Sequence, residues 1–351
     1  MQTRILKVNP LHPDPDAIEI AAAIIKRFGI VAFPTETVYG LGADALAPQA
    51  VSKIFEAKGR PPDNPIIVHV ASESDLGKVA AEVPALARSL IREFWPGPLT
   101  LLFKRRTTVP DITVAGLNTV AVRMPRHAVA LSFIRASQTP IAAPSANISG
   151  SPSPTTAEHV FSDLKGRIDL ILDGGESNIG VESTVLDITC DPPIVLRPGG
   201  TPVENIESVI GKVKLHPAAL AEINLEGYLA KAPGMKYKHY APRALLVLVE
   251  GSDLTRLRSR VQETADDLKQ RGKRKVAIIA PSAHGYKADV VKSLGDRDNL
   301  EEIAKKLFPT LRKMDEEKVD AIVVEGVETR GLGLAIMNRL RRASGGNIVK
   351  T

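Results

Sequence analysis

Lys58 and Arg60 are two cations in a loop that three prolines keep extended. They stand two residues apart and are followed by Pro61, Pro62 and Pro65, and proline disfavours helix at its own position and at the residue before it. Arginine can hold a carboxylate or a phosphate through two parallel hydrogen bonds, and lysine adds a point charge. The pair predicts a binding site for an anionic group; the alternative is an ordinary solvated Lys-x-Arg surface.

The segment 30–70 around these cations is expected to form half of an active site. A short apolar strand at 30–33 breaks off at Pro34 and enters a loop rich in hydroxyl groups and glycine, with Thr35, Thr37, Tyr39, Gly40 and Gly42. Loops at strand ends are where α/β folds place their binding and catalytic groups. The loop is therefore expected to face a ligand.

Other candidate side chains stand at the ends of predicted strands further along the chain. Arg123 closes a strand at 119–123 whose other residues are mostly small and apolar, which favours a ligand contact over a core ion pair. His69 ends an apolar strand, where a lone histidine is also typical of a satisfied core residue. Further candidates at strand ends, each of which could instead serve a turn, are Ser145, Asn147, Ser183 and Arg197.

The common sequence signatures of phosphate, metal and nucleophile sites are absent. There is no GxxxxGK[ST] loop, no GxGxxG after a strand, no HExxH and no GxSxG. Gly331 and Gly333 form a GxG-like element at the start of a predicted helix, which could hold an anion but is expected to be a tight turn. A nucleotide would need another binding device, and no metal site built by the protein is expected.

Composition indicates an ordinary globular protein of two domains. The chain has 351 residues, 44% of them hydrophobic and 25% charged, and so exceeds the size of one typical core. Its net charge of +6 favours anionic partners. One cysteine, Cys190, excludes an internal disulfide and fits a reducing compartment. With no apolar run of about 20 residues and no signal-peptide pattern, we expect a cytoplasmic protein without membrane association.

The predicted elements fall into two blocks of an α/β protein. Residues 1–205 alternate helices with many short strands, which indicates a twisted mixed sheet. The pattern weakens in a proline-interrupted linker at 206–243. Residues 244–351 alternate strand and helix regularly, which predicts a small, Rossmann-like parallel α/β domain.

Several motifs in this order resemble the threonylcarbamoyl-AMP synthase family, whose catalytic domain has the YrdC-like fold. The motifs are PTETVYGLGADA at 34–45, KGRPPDNP at 58–65, WPGPLT at 95–100, AVRMP at 121–125, APSAN at 143–147 and GVEST at 180–184. The linker APGMKYKHYAP at 232–242 and the block after it resemble the two-domain branch of that family. The resemblance thus covers nearly the whole chain.

The resemblance implies a nucleotidyltransferase that converts L-threonine, bicarbonate and ATP into threonylcarbamoyl-AMP and pyrophosphate. A downstream threonylcarbamoyl transferase would then modify the adenosine next to the anticodon of tRNA, with which this chain could itself make contact. Mg²⁺ is expected to arrive with the triphosphate, because it keeps water and phosphate ligands.

The resemblance also implies roles for individual residues. Lys58, Arg60 and Arg123 would be catalytic. Threonine would be contacted by Thr37, His69, Arg123, Ala143 and Ser183, with Arg123 on its carboxylate and Thr35 shaping the loop. ATP would be contacted by Lys58, Arg60, Asn64, Thr119, Ser145, Asn147, Ser153 and Arg197, and by Tyr237 or His239 if the linker acts as an active-site lid rather than as an interdomain strap.

Two other functions remain open at this stage. A basic face could bind RNA without catalysis, in which case binding would weaken steeply with salt; the aromatic content of 4% disfavours base stacking. The same fold could also make a carbamoyl-adenylate from carbamoyl phosphate, although the single cysteine leaves no zinc-finger segment of the kind expected in such enzymes.

Overall fold

The chain folds into two compact units. The computed structural model describes residues 2–221 and 239–351. Within them, residues 2–149 and 153–219 make the first unit, and residues 150–152, 220–221 and 239–351 make the second. The rest of the predicted linker, 222–238, lies outside the described residues, and Tyr237 with it. Among the described residues, no helix combines the length and the apolar character that a membrane span needs.

The first unit is built on a mixed sheet. Its strands are β1 (Arg4–Lys7), β2 (Val31–Phe33), β3 (Gly40–Asp44), β4 (Val68–His69), β5 (Leu99–Lys104), β6 (Thr119–Arg123), β7 (Ile141–Ala142), β8 (Leu170–Asp173), β9 (Thr184–Asp187), β10 (Ile194–Arg197) and β11 (Lys214–Leu215). Their order is β1-β8-β2-β3-β7-β4-β6-β5-β9-β10-β11. Strands β4 and β6 run parallel, whereas β5 and β6 run antiparallel, so the predicted mixed sheet is confirmed.

Helices cover this sheet and bury its apolar residues. They are α1 (Pro15–Lys26), α2 (Pro48–Lys58), α3 (Leu76–Val79), α4 (Ala85–Phe94), α5 (Asp111–Val114), α6 (Ala128–Ser137), α7 (Ala157–Leu164), α8 (Val203–Ile210) and α9 (Pro217–Leu220). Helix α1 begins with a proline in its first turn, and the Asp14 side chain accepts from the Asp16 amide, which is a favourable start. Its buried face, including Ile18 and Ile25, lies in the same core cluster as Phe133 of α6.

The end of α2 places the two cations that the sequence singled out. Gly59 has φ 59° and caps the helix, with its amide donating to Glu56 O and the Arg60 amide donating to Phe55 O at 2.9 Å. This left-handed conformation suits glycine because it carries no Cβ. Lys58 therefore lies in the last helical turn, and Arg60 begins the proline-stiffened segment.

The expected loop at 34–42 is partly wrong, because Gly40 and Gly42 belong to β3. This strand pairs antiparallel with β2. A Cβ on Gly42 would lie 2.8 Å from Ile141 Cγ2 and 2.9 Å from Phe33 Cε1. Only residues without a side chain leave room here for the Phe33 ring and for Ile141. This packing explains why glycines occur in β3 although glycine has a low strand propensity.

The described part of the predicted linker is ordered up to residue 221. Helix α8 spans the predicted boundary at 206, and β11 pairs in parallel with β10. Ile206 is fully buried in the first core, which explains why these residues join the first unit. The precise boundary and the lid stay predictions.

The second unit has a wholly parallel sheet in its described residues, as predicted. Its strands are β12 (Leu245–Glu250), β13 (Val276–Ala280), β14 (Val290–Ser293), β15 (Ala321–Glu325) and β16 (Ile348–Lys350), in the order β14-β13-β15-β12-β16. The helices are α10 (Leu254–Gln270), α11 (Leu300–Glu316) and α12 (Leu332–Ser344). Strands β14 and β16 were not predicted, because they are short edge strands whose side chains are half-buried or exposed and so carry no long buried apolar run.

Candidate active site

Arg123 is held in one orientation by three partners. Its Nη1 donates to Thr37 Oγ1 at 2.9 Å and its Nε to the Gly97 carbonyl at 3.2 Å, while Nη2 lies 2.7 Å from Glu36 Oε2. The Arg123 and Glu36 side chains are only 4% and 6% exposed. A charge so deeply buried needs a counter-charge, and Glu36 supplies it, although the contact between Nη2 and Oε2 does not have hydrogen-bond geometry.

The Thr37 hydroxyl that contacts Arg123 belongs to a local hydroxyl network. Thr35 Oγ1 lies 2.8 Å from Thr37 Oγ1 and donates to the Val38 carbonyl at 2.6 Å. Because the Thr35 hydroxyl donates its proton to the Val38 carbonyl, its oxygen accepts from the Thr37 hydroxyl. The Thr37 amide also donates to this oxygen, at 3.2 Å. The predicted role of Thr35 in shaping the loop agrees with these contacts.

His69 is an uncharged neighbour of Arg123. The two residues face each other across the β4–β6 pair, and the His69 ring meets Phe33 edge-on at 6.1 Å between centroids. Burial, and then the charge of Arg123, lower the pKa of His69 to about 3. The imidazole is therefore neutral at physiological pH, when it can donate or accept a hydrogen bond.

Lys58 and the loop after β7 form a second polar cluster. The Lys58 ammonium donates to the carbonyl oxygens of Ser145 at 2.5 Å and Asn147 at 2.6 Å. Ser145 Oγ in turn donates to Asn147 Oδ1 at 2.5 Å. The structure thus unites a lysine from α2 with two residues almost ninety positions away, as the predicted common ATP role requires.

Arg60 orders the segment that follows it. Its Nη2 donates to the carbonyls of Asn64 and Pro65 at 2.9 and 3.1 Å, and its guanidinium lies 5.7 Å from the centre of the Phe55 ring. The amide group of Asn64 is fully buried, with no hydrogen-bond partner among the described residues. A buried amide without a partner is costly, and a polar ligand group would relieve that cost.

Ser183 and Arg197 meet where β9 begins and its antiparallel neighbour β10 ends. Arg197 donates through Nε and Nη2 to the Ser183 carbonyl, at 3.2 and 2.9 Å, and Ser183 Oγ lies 2.8 Å from Thr100 Oγ1. Nearby in sequence, Ser153 Oγ donates to Glu182 Oε1 at 2.5 Å. These contacts bring the late motif GVEST into the same network.

Backbone hydrogen bonds tie the motif loops together. The amides of Ile179 and Gly180 donate to the carbonyls of Glu36 and Thr37, at 2.8 and 3.1 Å. On the other side of the first loop, Ala146 N donates to Tyr39 O and Leu41 N to Pro144 O. The segment 34–41 is therefore hydrogen-bonded to the loops at 143–147 and 179–183, so these three sequence motifs lie next to one another.

Three further predicted residues belong to β6, to the end of β7 and to the second unit. Thr119 begins β6, four residues from Arg123 and so about 13 Å away along the strand. Ala143 contributes a backbone amide, which donates to the Ile67 carbonyl at 2.9 Å. His239 lies in the second unit, where its ring is 5.6 Å from Tyr240. The ligand that each would touch stays a prediction.

Glu36 is the site residue that sequence reasoning missed. It was passed over as part of a hydroxyl-rich loop, yet it supplies the counter-charge of Arg123. The available signal was a carboxylate between the apolar strand 30–33 and the apolar residues from Val38 onwards. Such an acid is seldom buried unless it is paired.

The arrangement can bind an anion and a small polar molecule side by side. Oriented guanidinium and ammonium groups suit carboxylate and phosphate oxygens, and fixed donors in a site that excludes water act more strongly than they would in solvent. No three His, Cys, Asp or Glu side chains in the described ranges form a cluster that could hold a metal ion. The polar groups that the structure brings together here are cations, hydroxyls, amides and the carboxylates of Glu36 and Glu182.

Two family models match almost the full chain. One, described as "Telomere recombination", matches residues 23–199, and the other, described as "Threonylcarbamoyl-AMP synthase, C-terminal domain", matches residues 201–345. A threonylcarbamoyl-AMP synthase from Pyrococcus abyssi is 55% identical over 333 residues, which cover 95% of each chain. The chain belongs to the threonylcarbamoyl-AMP synthase family. A member from Bacillus subtilis is 50% identical over 345 residues, or 97% of each chain.

A solved structure of a family member agrees with the fold. It is described as Pyrococcus abyssi Sua5 complexed with L-threonine, and is 53% identical with a TM-score of 0.92 over 99% of both chains. The predicted family, the predicted two-part α/β fold and the prediction of an enzyme of this family are confirmed. The names of these relatives support the synthase over the two alternative functions.

Proposed function

We propose that this chain condenses L-threonine, bicarbonate and ATP into threonylcarbamoyl-AMP and pyrophosphate. The observation that carries the proposal is the buried guanidinium of Arg123, oriented by Glu36, Thr37 and the Gly97 carbonyl, in a member of the threonylcarbamoyl-AMP synthase family. The Pyrococcus abyssi relative is described as complexed with L-threonine, which supports threonine as the amino acid.

Arg123 takes the carboxylate of threonine in this proposal. A guanidinium whose rotamer is already fixed loses little further entropy when a ligand binds. The rest of the threonine molecule lies against the neighbours of Arg123. The neutral His69 ring and the Thr37 hydroxyl can form hydrogen bonds with its polar groups, and Ala143 and Ser183 make the further contacts.

ATP binds along the second cluster. Lys58, Arg60, Ser145 and Asn147 surround its phosphates, and Asn64, Thr119, Ser153 and Arg197 make the further contacts that family resemblance implies. Lys58 would exchange its carbonyl partners for phosphate oxygens, which are stronger acceptors because they are charged. Mg²⁺ enters with the triphosphate and adds charge neutralisation there.

The reaction needs no nucleophile from the protein. The free amine of threonine attacks bicarbonate, and a carbamate forms with loss of water. A carbamate oxygen then attacks the α-phosphorus of ATP, the bond to the β-phosphate oxygen breaks, and pyrophosphate leaves with that electron pair. The protein contributes positioning and cations around the phosphates, which together can supply several kcal/mol.

The remaining partners follow from this function. A threonylcarbamoyl transferase would use the product on tRNA, and the net charge of +6 supports contact with that anion. A cytoplasmic location agrees with the single cysteine. In this proposal Tyr237 or His239 contacts ATP or the product, as the resemblance to the family implies. Unchanged ATP affinity and unchanged product formation in a His239→Ala, Tyr237→Ala double variant would remove this contact from the proposal.

The decisive experiment measures pyrophosphate. The protein is mixed with ATP, Mg²⁺, bicarbonate and one amino acid at a time. Release that requires both threonine and bicarbonate is expected. Release with serine alone, or no release with any amino acid, would contradict the proposed function.

A further inference from the structure

A cavity of about 540 Å³ lies in the second unit, and its lining includes none of the residues assigned to threonine or ATP above. It is lined by the end of β12 and the residues after it, by residues 326–330 after β15, by Met337 and Arg341 of α12, and by the end of β16. Its size is within the range of pockets that hold small organic ligands.

The sheet topology puts this cavity where parallel α/β sheets bind ligands. Strands β12 and β15 are neighbours in the sheet. From β12 the chain continues to β13, which lies beyond β15, whereas from β15 it continues to β16, which lies beyond β12. The chain thus leaves two adjacent strands in opposite directions, and ligands bind in the crevice outside the carboxyl ends of such a pair.

Glycines allow the backbone to form the walls of the cavity. A Cβ on Gly333 would lie 1.9 Å from the Glu328 carbonyl oxygen, and one on Gly326 would lie 2.9 Å from the Val249 carbonyl oxygen. The loop after β15 is therefore pressed against both β12 and the first turn of α12. The GxG-like element at Gly331 and Gly333, which has no part in the proposed synthase reaction, is thus the tight turn that packs the start of α12 against this loop.

The lining of the cavity combines three cations with two glutamates and with the apolar side chains of Val327 and Met337. Arg341 forms a two-bond pair with Glu250, at 2.7 and 3.1 Å, and Arg330 pairs with Glu328 at 2.8 Å. Lys350 adds a third cation, next to Thr351. The 13-residue helix α12 begins two residues after Arg330 without a side-chain cap, so its first turn adds partial positive charge beside Arg330.

We propose that this cavity binds a phosphate-bearing ligand of mononucleotide size. The phosphate lies between Lys350, Arg330 and the start of α12, and the apolar part of the ligand lies against Val327 and Met337, which also line the cavity. The proposal does not depend on the synthase reaction, because every lining residue belongs to the second unit.

The test is a calorimetric titration of the full chain with AMP. A Lys58→Ala, Arg60→Ala background removes the nucleotide contacts proposed for the first unit. In that background Arg330→Glu reverses the charge at an exposed position, and Thr329→Trp fills the cavity from its rim. Arg256→Glu is the matched control, since its side chain is 80% exposed, close to the 75% of Arg330, and lies outside the cavity.

The background variant should bind one AMP per chain. Arg330→Glu and Thr329→Trp should each weaken binding by about tenfold or more, and the control by less than about twofold. Inorganic phosphate should compete with AMP, whereas adenosine should bind far more weakly. Absence of AMP binding in the background, equal binding of adenosine, or equal losses in Arg330→Glu and Arg256→Glu would each overturn the proposal. Thermal unfolding of all variants verifies that they are folded.

Discussion

Replacing Arg123 by lysine should separate the requirement for threonine from the requirement for ATP. Lysine keeps a positive charge beside the buried Glu36 carboxylate, so the ion pair survives. Its single nitrogen cannot reproduce the planar fork that reaches Thr37, Gly97 and Glu36 at 2.9, 3.2 and 2.7 Å. The variant therefore removes the geometry of the proposed carboxylate clamp and leaves the charge.

The size of the effect follows from the lost contacts. One hydrogen bond to a charged group contributes about 1.5–3 kcal/mol, and about 1.4 kcal/mol corresponds to a tenfold change in an equilibrium constant. The KM for threonine should rise about 10- to 100-fold. The KM for ATP should change by about twofold at most, because its contacts lie in a separate cluster. Arg123→Ala is less informative, since an unpaired buried Glu36 costs about 3–5 kcal/mol of folding free energy.

The assay is pyrophosphate release with one substrate varied at a time. Threonine is varied at saturating ATP and bicarbonate, and then ATP at saturating threonine and bicarbonate. Arg105→Lys serves as the control, because Arg105 also pairs with a carboxylate, Asp111 at 2.6 Å, and its side chain is only 21% exposed. Thermal unfolding of both variants separates a loss of binding from a loss of stability.

Two results would refute the reasoning. A similar rise in both KM values would show that Arg123 does not act on threonine alone. An unchanged threonine KM, together with a lowered melting temperature, would reduce Arg123 to a structural ion pair with Glu36.

Three further predictions follow from single residues. Lys58→Met should raise the KM for ATP about tenfold or more, because a charge-assisted contact to phosphate is lost; an unchanged ATP requirement would contradict the assignment. Gly42→Ala should lower the free energy of unfolding in urea by about 1–3 kcal/mol, because its Cβ would overpack the core, whereas Gly77→Ala, with open space around it, should not destabilise. Burial holds the pKa of His69 near 3 against an ordinary 6.5, so below pH 6.5 only the unfolded chain takes up this proton. Stability should therefore fall from pH 7 to pH 5 by about 2 kcal/mol more than in His69→Gln, and equal falls would refute the shift.

Much of the fold could be read from periodicity. The sequence predicts helices over 17–28, 48–57, 252–271 and 299–314, and α1, α2, α10 and α11 begin and end within a few residues of these bounds. Strand β3 could not be read in this way, because its glycines suit the Phe33 ring beneath them rather than any strand propensity.

The site was predictable in its parts but not in its connections. Arg123 and Ser145 were predicted as polar residues at strand ends, and Lys58 as a cation in a proline-stiffened loop, whereas the structure places Lys58 in the last turn of α2. That Lys58 donates to Ser145 and Asn147 depends on the chain crossing from α2 to the end of β7, which no local pattern encodes. The role of Glu36 was missed for the same reason, since its partner lies 87 positions away in sequence.

Two adjacent residues of the segment 35–37, Glu36 and Thr37, orient the Arg123 side chain through its two terminal nitrogen atoms. Glu36 neutralises Nη2, while Thr37 accepts from Nη1 and is itself linked to Thr35. With Nε committed to Gly97, all three nitrogen atoms are fixed during folding. The entropy of ordering this long side chain is therefore lost before any ligand arrives, so the full interaction with a carboxylate is available for binding. A lysine at position 123 cannot be fixed by these three partners, so Arg123→Lys should weaken the binding of the ligand that Arg123 contacts, which we propose to be threonine.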